Sequence, residues 1–275
     1  MSDLVTVDIH DGVADVRLNR PDKYNALSPE MFSAIVEAGE SLADNKSVRA
    51  VVLSGNGRGF CAGLDFQSFQ GMSDSGGSAV LGSGANNKGD GKGDSNDPAN
   101  RAQKPGLVWK RLPVPVIAAI HGVAYGGGLQ IALGADIRIA APDARLSVME
   151  IKWGLVPDMS LTQTIRDLMP LDKVKELTFT GRVVHGPEAQ QLGLVTRLDA
   201  NPLDAALALA REIAGKSPDA IRAGKHLLET AWHADPATGL KLEAKLQTGL
   251  MGSANQSEAV KANFEDRKPA FVDPQ

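Results

Sequence analysis

From Val5 to Leu18 apolar and polar residues alternate with a period of two, and the alternation breaks at Asp11-Gly12. That dipeptide tolerates positive φ and suits a two-residue hairpin turn, so the pattern predicts a β-hairpin of Val5 to Ile9 against Ala14 to Leu18. The period then changes. Ser28-Pro29-Glu30 offers a cap and a first-turn proline, and Met31, Ile35, Ala38 and Leu42 recur at helical spacing up to Asp44-Asn45, which predicts an amphipathic helix. Ala50-Val51-Val52-Leu53 is a short run with no polar position, as in a strand covered on both faces. It empties into the glycine-rich Ser54-Gly55-Asn56-Gly57-Arg58-Gly59.

Between residues 71 and 100 the pattern dissolves: 21 of 30 residues are Gly, Ser, Asp or Asn. Such a tract buries too little apolar surface to offset its ordering entropy, so it is expected to be mobile, either a lid or a tolerated insertion. Beyond it the pattern predicts a short helix near Arg101 to Arg111, a strand at Val114 to Ile120 and a helix at Gly126 to Leu133. Strands at Ile137 to Ala140 and Leu146 to Met149 follow, and the alternation continues to about Leu198. Asn201-Pro202 opens an all-helical remainder: Leu203 to Ala214, then Ala220 to Trp232 capped by Ser217-Pro218-Asp219, then two more helices to Phe264. The expected organisation is an α/β core over residues 1–200 and a helical region over 201–275.

The composition narrows the function classes. With 43% hydrophobic residues and no apolar run of membrane-spanning length, the chain reads as a globular protein that is neither disordered nor membrane-spanning. A net charge of −4 without any Lys/Arg block argues against nucleic acid as a partner. The single cysteine, Cys61, excludes an intrachain disulfide framework and a cysteine-based zinc site. Met1-Ser2-Asp3-Leu4-Val5 lacks the basic and apolar segments of a signal peptide, so a cytoplasmic location is expected.

Two glycine-rich strand-to-helix connections are the candidate chemical elements, because each can present backbone N–H groups at a helix start. One is Gly59-Phe60-Cys61-Ala62-Gly63-Leu64-Asp65, and the other runs from Gly122 through Gly126-Gly127-Gly128 to Ala132. Both are also compatible with plain tight turns. Gly57-Arg58-Gly59-Phe60-Cys61-Ala62 fits the GxGxxA spacing of a dinucleotide site. However, the acidic residue required about 20 positions on would fall in the Gly/Ser/Asn tract, so that reading fails.

Asn19-Arg20-Pro21 with Asn25-Ala26-Leu27, Phe60-Cys61-Ala62-Gly63-Leu64-Asp65, His121-Gly122-Val123-Ala124 with Gly126-Gly127-Gly128, Ala135-Asp136-Ile137-Arg138, and Thr180-Gly181-Arg182 with Gly193-Leu194-Val195 occur in order over nearly the whole chain. Together they resemble the crotonase (enoyl-CoA hydratase/isomerase) superfamily. The resemblance implies a spiral of ββα repeats, a C-terminal helical trimerisation region giving a homotrimer or homohexamer, and an acyl-CoA thioester as substrate. Coenzyme A is then part of the substrate and no separate cofactor or metal is expected. By the same analogy the amides of Ala62 and Gly127 form an oxyanion hole for the thioester oxygen, and Ala62, Gly63, Leu64, Asp65, Gly127 and Gln130 contact the substrate.

The resemblance also assigns proton transfer. Glu150 matches the family's second catalytic glutamate, and Asp158 matches the aspartate of dienoyl-CoA isomerases and the nucleophile of a dehalogenase. Capping of a helix over Ser160 to Leu168 is the competing role for Asp158. Gln130 stands where hydratases carry their other glutamate. An amide cannot take a proton from water, although it can orient one, so double-bond isomerisation is favoured over hydration. The alternative is a hydratase in which Glu150 and Asp158 share the proton roles. Dienoyl-CoA isomerisation, thioester hydrolysis or dehalogenation, and non-catalytic acyl-CoA binding rank below these. His121 is read as a hydrogen-bonded structural residue and Cys61 as packing. Arg267-Lys268-Pro269 with Phe271 resembles the family's basic tail, whose charges meet CoA phosphates.

Overall fold

In the computed structural model of the chain, residues 3–65 and 97–274 are described, and the Gly/Ser/Asn-rich tract lies outside them up to residue 96. Strand β1 (Val5–His10) pairs antiparallel with β2 (Val13–Leu18), with Asp11 and Gly12 at φ of 49° and 79° in the turn between them. Helix α1 (Pro29–Ala43) starts where the Ser28 hydroxyl accepts from the Met31 N–H, and it buries Met31, Phe32, Ile35, Ala38 and Leu42. Strand β3 (Ala50–Gly55) is buried along its whole length.

The next elements are shorter than the apolar pattern suggests. Helix α2 (Lys104–Arg111) follows a turn in which Asn100 and Gln103 accept each other's backbone N–H groups, at 3.1 and 3.0 Å. Strand β4 (Val116–Ile120) begins after Pro115, which has no N–H to give the ladder. Strand β5 (Val123–Tyr125), helix α3 (Gly127–Leu133), β6 (Ile137–Ala140) and β7 (Arg145–Ser147) follow. Then come α4 (Leu161–Thr164), α5 (Leu171–Thr180), β8 (Val184–His185), α6 (Gly186–Leu192) and β9 (Arg197–Leu198).

The main sheet has the order β1-β2-β3-β4-β6-β9, antiparallel in its first pair and parallel from β2 onward. A three-stranded sheet, β5-β7-β8, stands beside it. The main sheet is apolar on both faces. Val16, Val51, Leu53, Val116, Ala118 and Ile120 join the core under α1, while Val52, Ile117, Ala119 and Ile139 face the other way. That second face is covered by α7 (Pro202–Ala214) through Ala206, Ala210 and Ala214, whose small side chains let the helix approach closely. A division at residue 200 therefore runs between the sheet and one of its own covering helices.

Helix α8 (Pro218–Ala231) is held to the core by Lys225, whose largely buried ammonium reaches Asp136 at 2.7 Å and the Val114 carbonyl at 3.0 Å. Beyond it, α9 (Pro236–Leu250) buries no residue and α10 (Ala254–Phe264) buries Asn255 and Ala262. Leu228, Trp232, Leu240, Met251 and Phe264 are exposed along these helices, Phe264 at 88%. Among the described residues no helix is long and apolar enough to cross a membrane.

Candidate active site

The segment 60–65 is threaded between two others. On one side Phe60 donates to the His121 carbonyl and Cys61 to that of Val123, while Tyr125 donates back to Cys61, each at 3.0 Å. On the other side Leu27 donates to Gly63 at 2.8 Å and Asp65 to Leu27 at 3.0 Å. Asn25 fixes the approach: fully buried at φ of 55°, its amide donates to the carbonyls of Asn56, Gly59 and Phe60, and its oxygen accepts from the Arg20 N–H. The sequence pattern marked Asn25 only as part of a motif, since neither its φ nor its partners can be read from composition.

This threading corrects the expected donor pair. The Ala62 N–H donates to the Tyr24 carbonyl at 2.9 Å, so it is not available to a ligand. Leu27 spends its own N–H and C=O on Gly63 and Asp65, and in such a parallel pairing the N–H of the opposed residue, Leu64, points the other way. Among the described residues no acceptor takes the N–H of Leu64 or of Gly127, the first residue of α3, where backbone donors lack helical partners. Gly63, at φ of 87°, brings the two together: a Cβ placed on it would lie 2.7 Å from the Tyr125 carbonyl oxygen and 3.7 Å from the Gly127 nitrogen.

Leu64 and Gly127 line a cavity of about 180 Å³ together with Ala62 and Gly63. Phe32, Met149, Trp153, Leu155, Val156 and Met159 make the rest of its wall largely apolar, and Glu150 and Asp158 supply its carboxylates. Asp65 does not line it. It is paired with Arg20 at 2.9 Å and mostly buried, so its place near the hole is structural. Gln130 does not line the cavity either; it is 1% exposed. Its oxygen accepts from the N–H of Met159 at 2.8 Å and of Leu161 at 3.2 Å, and its amide nitrogen donates to Glu150 Oε1 at 2.6 Å. Buried and bonded to Met159, Leu161 and Glu150, the Gln130 side chain is set back from the cavity.

Glu150 opens a 3₁₀ turn, Glu150–Trp153, three residues past the end of β7 at Ser147. Its Oε2 is buried without a hydrogen-bond partner. Burial pushes its pKa above the ordinary glutamate range; the charge of Asp158 adds to the rise, and the Gln130 hydrogen bond opposes it. Asp158 lines the cavity near its mouth, and desolvation by the surrounding wall raises its pKa as well. Its competing role as a helix cap does not occur. The helix there is only Leu161–Thr164, Ser160 stands at its cap at φ of 73°, and no side chain caps it.

The remaining candidates separate cleanly. His121 shares a 3.0 Å hydrogen bond with the Gly57 carbonyl. Cys61 is buried, donates to the Asn25 carbonyl at 3.1 Å, and has its thiol pKa pushed up to about 12 by burial, which makes it packing rather than a nucleophile. Arg267 is taken by Glu258 and Glu265, both at 2.6 Å, instead of being presented to a phosphate.

A family model described as enoyl-CoA hydratase/isomerase matches residues 8–274. Human mitochondrial Delta(3,5)-Delta(2,4)-dienoyl-CoA isomerase is 34% identical over 269 residues, covering 93% of this chain and 77% of that protein. Mouse mitochondrial enoyl-CoA hydratase domain-containing protein 2 is 33% identical over 271 residues, covering 95% and 84%. Among solved structures, the enoyl-CoA hydratase of Bacillus anthracis superposes with a TM-score of 0.86 at 28% identity, covering 98% of each chain.

Proposed function

The chain belongs to the enoyl-CoA hydratase/isomerase family, and from that premise we propose that it moves carbon–carbon double bonds in unsaturated acyl-CoA thioesters, in preference to hydrating them. The observation that carries this reading is that two carboxylates, Glu150 and Asp158, line one cavity while Gln130 is engaged in protein hydrogen bonds, one of them to Glu150 Oε1. Hydration requires groups that activate a water and protonate C2. Isomerisation requires only that a proton leave one carbon and another arrive two or four carbons away.

The thioester oxygen sits between the N–H groups of Leu64 and Gly127. Glu150 takes a proton from C2, so the C2–H bond breaks, an O–H bond forms, and negative charge gathers on the thioester oxygen as a dienolate. Donors already aimed at that oxygen stabilise it, and removing one such donor costs on the order of 10²–10³ in rate. Asp158, whose pKa desolvation raises above the ordinary aspartate range, returns a proton at C4, or at C6 of a 3,5-diene, and the new double bond is conjugated with the thioester. The proton then passes from Glu150 back to Asp158. No separate cofactor enters; coenzyme A is carried by the substrate.

The same reading assigns the helices beyond α7, within the C-terminal region 201–275, to contacts between subunits of a homotrimer or homohexamer built on the family's ββα spiral. The apolar residues left uncovered on α8, α9 and α10 support it. The test of activity offers cis-3-enoyl-, 3,5-dienoyl- and trans-2-enoyl-CoA in parallel and follows the ultraviolet band of the conjugated thioester. Growth of conjugation from the first two, with little consumption of the third, is expected. Conversion of trans-2-enoyl-CoA to a 3-hydroxyacyl product as the dominant turnover would establish the second reading, a hydratase using Glu150 and Asp158.

A further inference from the structure

We propose that Gln130 is a positioning residue: a single buried amide that aims the Glu150 carboxylate and at the same time fixes the loop carrying Asp158. The inference rests on the reading of Glu150 as the proton-transferring group, and it concerns a buried residue that does not line the cavity.

The hydrogen-bond network leaves the amide one orientation. Backbone N–H groups can only donate, so the atom of Gln130 that faces Met159 and Leu161 must be its oxygen. The nitrogen is thereby turned toward Glu150, and it meets Oε1 at 2.6 Å. Two consequences follow. First, Oε1 is occupied by the Gln130 amide, and Oε2, buried without a hydrogen-bond partner, is the carboxylate oxygen left unpaired. Second, the loop is held immediately after Asp158, at residues 159 and 161, by the same side chain that holds Glu150. Any change in Gln130 therefore alters the separation of the two carboxylates as well as the orientation of one. Asp158 is the ionisable side chain whose charge acts on Glu150, so the spacing also sets how strongly their titrations interact.

The amide matters chemically because it donates. A donor favours the ionised carboxylate and so opposes burial, keeping Glu150 available as a base in an apolar wall. A carboxyl group at position 130 would keep the two backbone N–H groups satisfied but replace that donor with a like charge. An apolar side chain of similar length would remove both functions.

The test measures kcat, KM and the pH dependence of kcat/KM for cis-3-enoyl-CoA with Gln130→Met and Gln130→Glu. Gln130→Met is expected to lose about tenfold or more in kcat, the value of a hydrogen bond to a charged group, with KM within about twofold of wild type. Because Met strands two buried N–H groups and can impair folding, Gln130→Glu is the decisive variant. It keeps the loop anchored, and its acid limb is expected to move to higher pH. An acid limb unmoved in Gln130→Glu, or a Gln130→Met enzyme with wild-type kcat, overturns the inference. Glu150→Gln separates this from the underlying reading: if that variant turns over normally, both fail, whereas if it is inactive and the Gln130 variants behave as wild type, only the positioning role fails.

Discussion

Replacing Gly63 by alanine probes the site through its backbone alone. At φ of 87° a side chain is strained, and the added Cβ would lie 2.7 Å from the Tyr125 carbonyl oxygen, a backbone atom that cannot rotate away. A left-handed conformation costs an L-residue roughly 1–2 kcal/mol, and overpacking typically about 1–3 kcal/mol more, so the fold should lose about 2–5 kcal/mol. For a chain of this size that is a fall in Tm of roughly 5–15 °C. To relieve the contact, residues 63 and 125 must separate by some tenths of an ångström. Leu64 and Gly127, the two proposed oxyanion donors, lie one and two residues away. Misplacing a preorganised donor by that distance is expected to cost about 10–100-fold in kcat for cis-3-enoyl-CoA. Gly252→Ala is the control: its φ is 77°, yet no atom lies within 4 Å of the added Cβ, so it carries strain without a clash and should leave kcat unchanged. Calorimetry and the ultraviolet assay read the two quantities separately. A Gly63→Ala enzyme within twofold of wild-type kcat would refute the assignment of the Leu64 and Gly127 amides.

Two other outcomes are open to measurement. Glu150 holds its proton more tightly folded than unfolded, so the folded state binds the extra proton and stability falls as pH rises from the ordinary glutamate range through the raised value. Glu150→Gln should therefore raise Tm at pH 7 and not at pH 4, as read by thermal melts at both; equal changes at the two pH values would contradict the burial of its charge. Sedimentation velocity should find the intact chain as a trimer or hexamer at micromolar concentration, and a stable monomer would remove the assembly role of the C-terminal helices.

Much of the fold was legible where one physical rule governs the residue pattern. The Asp11-Gly12 hairpin, the Ser28 cap and the all-buried strand at Ala50 each follow from local chemistry. The site was legible as a set of segments and less so as a set of atoms. Ala62 and Leu64 are both flanked by glycine or follow one, and which of them directs its N–H into the cavity depends on pairing with Tyr24 and Leu27, which sequence does not disclose. For the same reason Gln130 read only as a lost acid: its partners, Met159 and Leu161, lie about 30 residues away. The boundary near residue 200 marked a change in element type, and α7 beyond it still covers the sheet; alanines at helical spacing look the same whether they face a sheet or solvent.

The order in which the chain is made gives the alanine face of α7 a further meaning. The sheet face formed by Val52, Ile117, Ala119 and Ile139 is complete once β6 has emerged, yet its cover lies some 65 residues later. Throughout that interval of synthesis a nascent chain presents an apolar strip across parallel strands that pair only over long sequence separations, the slowest kind of contact to form. The domain therefore becomes self-sufficient only after Ala214 has cleared the ribosome, and a truncation or a stall before Pro202 leaves a species fitted to chaperones and aggregates rather than to acyl-CoA.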